Sequence, residues 1–256
     1  MSRRASSRAR RAAGLLLAAL LLAAVPAQNW MPQLRETFAR IVCGEGAAPP
    51  GVSDLPVVEV PAHADGSDTL AFIASGDGGW ASLDRQIAGV FTARGIPVVG
   101  LDTLRYYWQP RTPADSARAL ERILRHYLAT WRKERVLLVG YSRGAGVLPF
   151  MITRLPADLR ARVDVIALLG PERAIGFEFH YTDWIEPPRG DTTPLQPEIE
   201  KLRGEKILCV YGADETDSVC PHLPAGLAHL DRRPGGHHFD GDYAAIATRI
   251  LAEAGR

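Results

Sequence analysis

Past residue 68, the hydrophobic and polar positions of the chain follow two alternating patterns. Short, almost entirely apolar runs alternate with longer segments in which an apolar residue returns every three or four positions. The short runs are typical of strands buried on both faces of a parallel sheet, and the longer segments of helices with one buried face. Strands are therefore predicted at residues 70–75, 96–101, 135–140, 163–169 and 207–211, with another near 228–230.

Helices are predicted between these strands. Leu83, Ile87 and Phe91 share one face of the first helix. Thr112 followed by Pro113 is a signal for the start of a long second helix, because a threonine caps the first turn and proline fits the first helical position. A last helix is predicted near the C-terminus. The alternation favours an α/β fold, with a mostly parallel sheet and helices on both of its faces.

The first 27 residues have the composition of an export signal. Five arginines without an acid lead into an apolar run at residues 12–25, and Val25 and Ala27 are small residues before a cleavage position at Gln28. This order predicts a secretory signal peptide over residues 1–27. An uncleaved anchor is the alternative, although 14 apolar residues fall short of the ~20 that span a membrane. Residues 28–256 are then one domain, with an irregular lead-in at 28–67.

Charge changes when the predicted leader is set aside. The whole chain has a formal net charge of +1, but the remainder holds 25 basic and 29 acidic side chains and is mildly acidic at −4. Such a balance disfavours a nucleic-acid partner and favours a cationic ligand. It does not by itself identify a function.

Three cysteines, Cys43, Cys209 and Cys220, lie beyond the leader. In an oxidising compartment two of them can pair. Cys209 lies in a predicted strand and Cys220 in the loop that follows, so a Cys209–Cys220 disulfide closing that loop is the preferred prediction. No metal-ligand spacing is present, and no metal or cofactor is expected.

The strongest chemical signal is the run Gly-Tyr-Ser-Arg-Gly around Ser142. It directly follows a predicted buried strand and leads into a predicted helix. Strand, G-x-S-x-G and helix in that order are the context of the nucleophile elbow of the α/β-hydrolase fold. Ser142 is therefore the candidate nucleophile, and a structural Gly-Ser-Gly turn is the alternative.

A serine nucleophile requires a base, because its hydroxyl is weakly reactive at neutral pH. In this fold the base follows the serine and the acid along the chain. His237 and His238 come after two glycines and before the last helix, which is the expected place. His237 is preferred because it directly follows the glycines, and His238 is the alternative.

The acid is expected in the loop after the strand at residues 207–211. Asp214, Glu215 and Asp217 all lie there. Asp217 is preferred for its spacing to Pro221, Asp214 is the alternative because it is nearer the strand end, and Glu215 is the third choice.

Acyl transfer also requires donors for the developing oxyanion. The backbone N–H of Arg143, directly after the nucleophile, is one candidate. The other is the backbone N–H of Asp77 or Gly78, in the glycine-rich segment after the first strand. An ordinary glycine turn is the alternative for that segment.

Six motifs in order, SGDGGW, GLDTLRYYW, GYSRGAGVLPF, FEFH, YGADETDSVCP and GGHHFDGDY, resemble the bacterial virulence protein family of VirJ and AcvB. The resemblance runs from about Asp68 to the C-terminus. It departs from the family at Arg143 and Gly146, where the family usually has an aromatic residue and an aspartate. It implies a periplasmic protein that hydrolyses the ester between an amino acid, typically lysine, and phosphatidylglycerol, and an association with type IV secretion components.

The residues alone indicate a serine hydrolase acting on carboxylic esters, with Ser142, His237 and an acid in a two-step acyl transfer. Two other functions stay open. One is a non-catalytic accessory or binding protein of type IV secretion on a hydrolase scaffold, and the other is a broad carboxylesterase or lipase.

Overall fold

A computed structural model describes residues 51–62, 66–179 and 192–256. The predicted leader and Cys43 lie outside the described residues. Seven strands form the central sheet in the order β1-β3-β2-β4-β5-β8-β9. Their bounds are Val57–Val60 (β1), Thr69–Ala74 (β2), Val98–Leu101 (β3), Arg135–Tyr141 (β4), Val163–Leu169 (β5), Ile207–Gly212 (β8) and His229–Arg233 (β9).

The predicted strands are all present, and their neighbours pair in parallel from β3 to β9. Strand β1 is the exception, since it lies in the lead-in that was predicted to be irregular. It pairs antiparallel with β3, with Val57 opposite Leu101. Four residues between two prolines are too few to display a strand pattern, and tertiary pairing at the sheet edge decides their conformation.

Helices cover both faces of the sheet, as predicted. They span Ser82–Thr92 (α1), Thr103–Tyr106 (α2), Pro113–Thr130 (α3), Arg143–Ile152 (α4), Ala157–Arg160 (α5), Gln196–Glu200 (α6) and Tyr243–Glu253 (α7). The apolar faces of α1 and α7 pack on one side of the sheet, where Ile87, Phe91 and Ile250 are fully buried. On alternate strand positions Phe72 and Leu138 are equally buried. Successive strand residues point to opposite faces of the sheet, so burial of consecutive residues shows that both faces are covered.

The start of α3 forms as its sequence predicts. Thr112 caps the helix and accepts a hydrogen bond from the Asp115 backbone at 3.1 Å, while the Asp115 carboxylate accepts one from the Thr112 backbone at 2.9 Å. Pro113 occupies the first turn. This capping box satisfies backbone donors that have no partner inside the helix.

The order of the strands reverses beside β2. The chain passes from β2 to β3 on one side of the sheet and then returns to place β4 on the other side. In open α/β sheets, such a reversal leaves a crevice at the carboxyl ends of the two strands, and ligands bind there. The crevice between β2 and β4 is therefore where the site is expected.

A second, two-stranded sheet lies over this end of the molecule. Its strands are Ala174–Ile175 (β6) and Thr193–Pro194 (β7), which flank the residues 180–191 that are not described. Within the described ranges, no helix is long and apolar enough to cross a membrane.

Candidate active site

Ser142 lies in a tight turn between β4 and α4. Its backbone φ is +53°, a left-handed value that is unfavourable for a residue with a side chain. The Ser142 N–H donates to the Leu169 carbonyl at the end of β5 at 2.8 Å, and the Gly144 N–H donates to the Ser75 carbonyl at 3.1 Å. The surrounding strands thus hold the serine in a strained conformation at the carboxyl edge of the sheet.

The two glycines of the motif are required by close packing of the backbone. A Cβ atom on Gly140 would lie 2.5 Å from the Gly144 carbonyl oxygen, and one on Gly144 would lie 2.1 Å from the carbonyl oxygen of Ala74. Both distances are too short for any side chain. The geometry is that of a nucleophile elbow, in which helix α4 passes directly over the end of its strand.

His237 lies in the loop that follows β9, and its ring contacts a carboxylate. Its Nδ1–H donates to Glu215 Oε1 at 2.6 Å. A histidine held at Nδ1 by a carboxylate presents Nε2 to its other side, as a general base requires. Within the described residues no hydrogen bond joins the Ser142 hydroxyl to this ring. Such contacts commonly tighten only when substrate binds.

The acid that reaches His237 is Glu215, rather than Asp217, which the sequence favoured, or Asp214. Strand β8 ends at Gly212, and the chain then folds back so that the Glu215 carboxylate accepts a hydrogen bond from the Gly212 N–H. The Glu215 side chain is 6% exposed, whereas Asp214 and Asp217 are exposed. Spacing along a loop does not reveal which acid faces His237, because that contact joins residues 22 positions apart.

The charges of Glu215 and His237 stabilise each other. Burial acts to raise the pKa of Glu215, but the hydrogen bonds from His237 and the Gly212 N–H outweigh it and lower that pKa. Burial acts to lower the pKa of His237, but the hydrogen bond and charge of Glu215 outweigh it and raise that pKa. Glu215 is therefore suited to stabilise the imidazolium that forms when His237 accepts a proton.

His238 has a different partner. Its Nδ1 lies 2.9 Å from the hydroxyl of Tyr141, the residue before Ser142, and that hydroxyl also donates to the His237 carbonyl at 3.3 Å. The Tyr141 ring lies 5.3 Å from the His237 ring, measured between centroids. Tyr141 thus connects the elbow to the histidine loop, and of His237 and His238 it is His237 whose ring is bonded to a carboxylate.

The predicted Cys209–Cys220 disulfide is present. It closes the loop that contains Glu215 by joining strand β8 to the loop's far end. The backbone of the same loop is also bonded to the chain before His237, through Ala213 N–H to the Arg233 carbonyl at 2.7 Å. The acid and the histidine are therefore held by neighbouring, mutually bonded loops.

Residues 76–79, which we call the oxyanion turn, follow β2 and lie against the elbow. The Gly79 N–H donates to the Gly76 carbonyl at 3.0 Å and closes the turn. The Thr103 hydroxyl donates to the Gly76 carbonyl at 3.0 Å from beneath. A Cβ on Gly76 would lie 3.3 Å from the Ser142 Cβ, so the turn is in contact with the nucleophile. Asp77 and Gly78, the predicted oxyanion donors, occupy its tip.

The side chain of Arg143 is a feature of the site that the sequence analysis missed. Only its backbone N–H, at the start of α4, was expected to have a role. The guanidinium is buried and forms an ion pair with the Asp77 carboxylate. A basic residue next to the nucleophile and an acid in the glycine-rich segment are the only signals of this pair in the sequence.

Further carboxylates surround the site. Burial of Glu172, together with the nearby charges of Asp217 and Asp77, raises the pKa of Glu172. Glu172 and Asp217 also act to raise the pKa of His237. The surroundings of the base are therefore acidic. Across the described ranges no group of three or more His, Cys, Asp or Glu side chains is arranged to hold a metal ion.

Several solved structures share this fold. MenH from S. aureus has a TM-score of 0.57 and 13% sequence identity, and the alignment covers 78% of this chain and 99% of the MenH chain. Est1E from Butyrivibrio proteoclasticus with bound ferulic acid has a TM-score of 0.55 and 12% identity, covering 79% and 96%. An alpha-beta serine hydrolase homologue from Coxiella burnetii has a TM-score of 0.53 and 12% identity, covering 77% and 89%. At these identities the likeness establishes the fold, which is that of the α/β-hydrolases.

The comparison of sequences is more specific. No curated protein matches the chain. The family described as bacterial virulence protein (VirJ) matches residues 68–256, which include every strand of the main sheet except β1 and all the candidate site residues. This match confirms the resemblance that the six motifs indicated. The chain therefore belongs to the VirJ family of bacterial virulence proteins.

Proposed function

We propose that this protein is a serine esterase that cleaves a carboxylic ester with Ser142, His237 and Glu215. The observation that carries the proposal is the His237–Glu215 contact of 2.6 Å at the sheet edge where Ser142 occupies a strained elbow. A buried carboxylate paired with a half-buried histidine, next to a strained serine turn, is costly for folding, and costs of this kind concentrate at functional sites.

In the first step, the Ser142 oxygen attacks the ester carbonyl carbon while His237 Nε2 accepts the serine proton. Glu215 stays ionised and stabilises the imidazolium through its contact with Nδ1. The carbonyl oxygen becomes an oxyanion, for which the backbone N–H groups of Arg143 and of Asp77 or Gly78 are the donors. The tetrahedral intermediate then collapses, the C–O bond to the alcohol breaks, and His237 gives its proton to the departing alkoxide.

In the second step, water hydrolyses the acyl-serine. His237 takes one proton from water as the hydroxide attacks the acyl carbon, and it returns that proton to Ser142 as the acid product leaves. The cycle consumes one ester and one water and restores the enzyme. None of its steps calls on a metal or an organic cofactor.

The proposed substrate is an aminoacyl-phosphatidylglycerol, with lysine as the typical amino acid, at a membrane surface in the periplasm. Family membership supports this substrate, and the predicted signal peptide over residues 1–27 supports the location. The acidic surroundings of His237 support a cationic acyl group, because Glu172 and Asp217 would attract the ammonium of the amino acid. Association with type IV secretion components is the second role that membership suggests.

The test is the release of lysine from vesicles that contain lysyl-phosphatidylglycerol. We expect the wild type to release lysine and Ser142→Ala to lose at least ~10³-fold in rate, because no other group replaces the nucleophile. Ser82→Ala, at an exposed serine on α1, is the matched control and should retain the wild-type rate. Equal rates for wild type and Ser142→Ala would contradict the proposal.

The two alternative functions are outcomes of further measurements. A fluorophosphonate probe should label the wild type and leave Ser142→Ala unlabelled, whereas a purely accessory binding protein would leave both unlabelled. Faster hydrolysis of neutral p-nitrophenyl esters than of lysyl-phosphatidylglycerol would indicate a broad carboxylesterase. Fractionation of cells that express the chain with and without residues 1–27 tests the location.

A further inference from the structure

The buried side chain of Arg143 has contacts that the catalytic steps do not use. Its side chain is 4% exposed. Nε pairs with the Asp77 carboxylate, and Nη1 donates to the carbonyls of Gly176 at 2.9 Å and Glu178 at 3.3 Å. The guanidinium also lies over the Phe179 ring, 5.4 Å from its centroid. One side chain therefore bonds to two segments that are distant from it in the chain.

A charge in this place is costly to bury. Removing a guanidinium from water is unfavourable unless carboxylates and carbonyls replace its hydration, and an apolar side chain of similar volume would fill the same space at lower cost. The charge of Arg143 is compensated by Asp77, whose side chain is still 33% exposed. The pair is therefore poorly explained as a contribution to stability alone.

The base of the oxyanion turn is closed by the hydrogen bond from the Gly79 N–H to the Gly76 carbonyl, but its tip is less restrained. Gly78 at its tip is exposed with open space beside it, and Gly79 has a φ of +69°. Glycines lose more conformational freedom on folding than other residues, so such a turn samples many conformations unless other contacts restrain it. Asp77 is the one residue of this turn with a side chain beyond Cα, and that side chain is bound to the residue directly after the nucleophile.

We propose that the Arg143–Asp77 ion pair positions the oxyanion turn against the nucleophile. The pair joins the first turn of α4 to the tip of the oxyanion turn, so the backbone donors on both sides of the oxyanion keep a fixed separation. Arg143 and Asp77 are thus positioning residues through their side chains. The inference rests on the proposed function, because it assigns the pair a role in the same reaction.

The two residues should differ in their kinetic effects. Asp77 acts through the turn alone, so its loss should lower kcat and leave KM nearly unchanged. Arg143 also binds the carbonyls of residues 176 and 178, which precede β7 and border the site. Its loss should therefore lower kcat and raise KM together.

The experiment measures kcat and KM with p-nitrophenyl butyrate for Asp77→Asn, Arg143→Gln and the double variant. Loss of one oxyanion donor typically costs 10²–10³-fold, so a donor that is present but mobile should cost about 10- to 100-fold in kcat. We expect Asp77→Asn to show that loss with KM within about twofold of wild type. The double variant should lose no more kcat than the worse single variant, because the pair acts as one unit.

The matched control is Glu205→Gln, which breaks the Arg160–Glu205 ion pair of 3.0 Å away from the site and should leave kcat and KM unchanged. Circular dichroism checks that each variant is folded. If Asp77→Asn does not fold, Arg143→Lys takes its place, since lysine keeps the charge but lacks the planar fork that reaches Asp77 and the carbonyls together.

The outcomes separate this inference from the proposed function. An active wild type with unchanged kcat in Asp77→Asn, or additive losses in the double variant, overturns the positioning role alone. A loss of kcat that Glu205→Gln shares also overturns it. A wild type no faster than Ser142→Ala toward both p-nitrophenyl butyrate and lysyl-phosphatidylglycerol overturns the proposed function and the positioning role with it.

Discussion

The two halves of the candidate site are built in different ways. The nucleophile half, formed by β4, Ser142 and α4, comes from the 18 consecutive residues 135–152. Its backbone packs too closely for side chains at Gly140 and Gly144. The acid–base half is assembled from two loops, with Glu215 and His237 separated by 22 positions in the chain and joined by one hydrogen bond.

This difference determines what each half tolerates. Close packing of the backbone holds the elbow, so small changes in the side chains around it should have little effect on its conformation. The acid–base half depends on side-chain contacts, on the Tyr141 hydroxyl and on the Cys209–Cys220 disulfide. Substitutions that keep the fold but alter individual side chains should therefore affect the acid–base half most.

Among substitutions in the acid–base half, the largest difference in kcat/KM is expected between variants of His237 and of His238. His237→Ala should lower kcat/KM by ~10³-fold or more, because the general base is lost. His238→Ala is the matched control and should lose less than about tenfold, since the His238 ring nitrogen is bonded to the Tyr141 hydroxyl rather than to a carboxylate. Ester hydrolysis by both variants measures the difference. Equal losses would show that the two rings act together.

The next effect concerns the choice of acid. Glu215→Gln should lower kcat by ~10²–10⁴-fold, because the imidazolium loses its stabilising charge and the ring its orientation. Asp217→Asn, which removes a nearby charge without touching the ring contact, should stay within about tenfold of wild type. A greater loss for Asp217→Asn than for Glu215→Gln would restore the acid that the sequence favoured.

The pH dependence of kcat/KM is a second measurement that tests the role of Glu215. The base must be neutral to accept a proton, so kcat/KM rises as pH passes through the pKa of His237. Glu215 raises that pKa above its ordinary value. In Glu215→Gln the rising limb should therefore move to lower pH, and its plateau should fall.

The smallest of these effects is expected from the disulfide. Replacing Cys209 and Cys220 by serine should lower the free energy of unfolding by about 3 kcal/mol, as expected for a closed loop of this length. Denaturant unfolding measures it. In this variant, the labelling of Ser142 by a fluorophosphonate should fall less than kcat for ester hydrolysis. The reason is that the disulfide restrains the Glu215 loop and not the elbow. Equal losses of both would contradict the separation of the two halves.

Much of the fold could be predicted because its signals are local. Apolar runs of five to seven residues fill the buried strands β2, β4, β5 and β8, and the Thr112 capping box appears in the sequence as it does in the structure. Strand β1 could not be predicted, since its four residues adopt their conformation only by pairing with β3. The family and the disulfide were also predicted, from motifs and from the spacing of two cysteines.

The sequence by itself determined the nucleophile elbow and the sheet that supports it, because steric limits on the backbone and burial of apolar runs act over a few neighbouring residues. Only the tertiary structure decided that Glu215 faces His237, that Tyr141 bonds to His238 and that Arg143 pairs with Asp77. These contacts join residues 22, 97 and 66 positions apart, and the choice between adjacent acids depends on which carboxylate the folded loop carries inward. Several side chains of similar chemistry could form each of these contacts, and packing in three dimensions determines which one does.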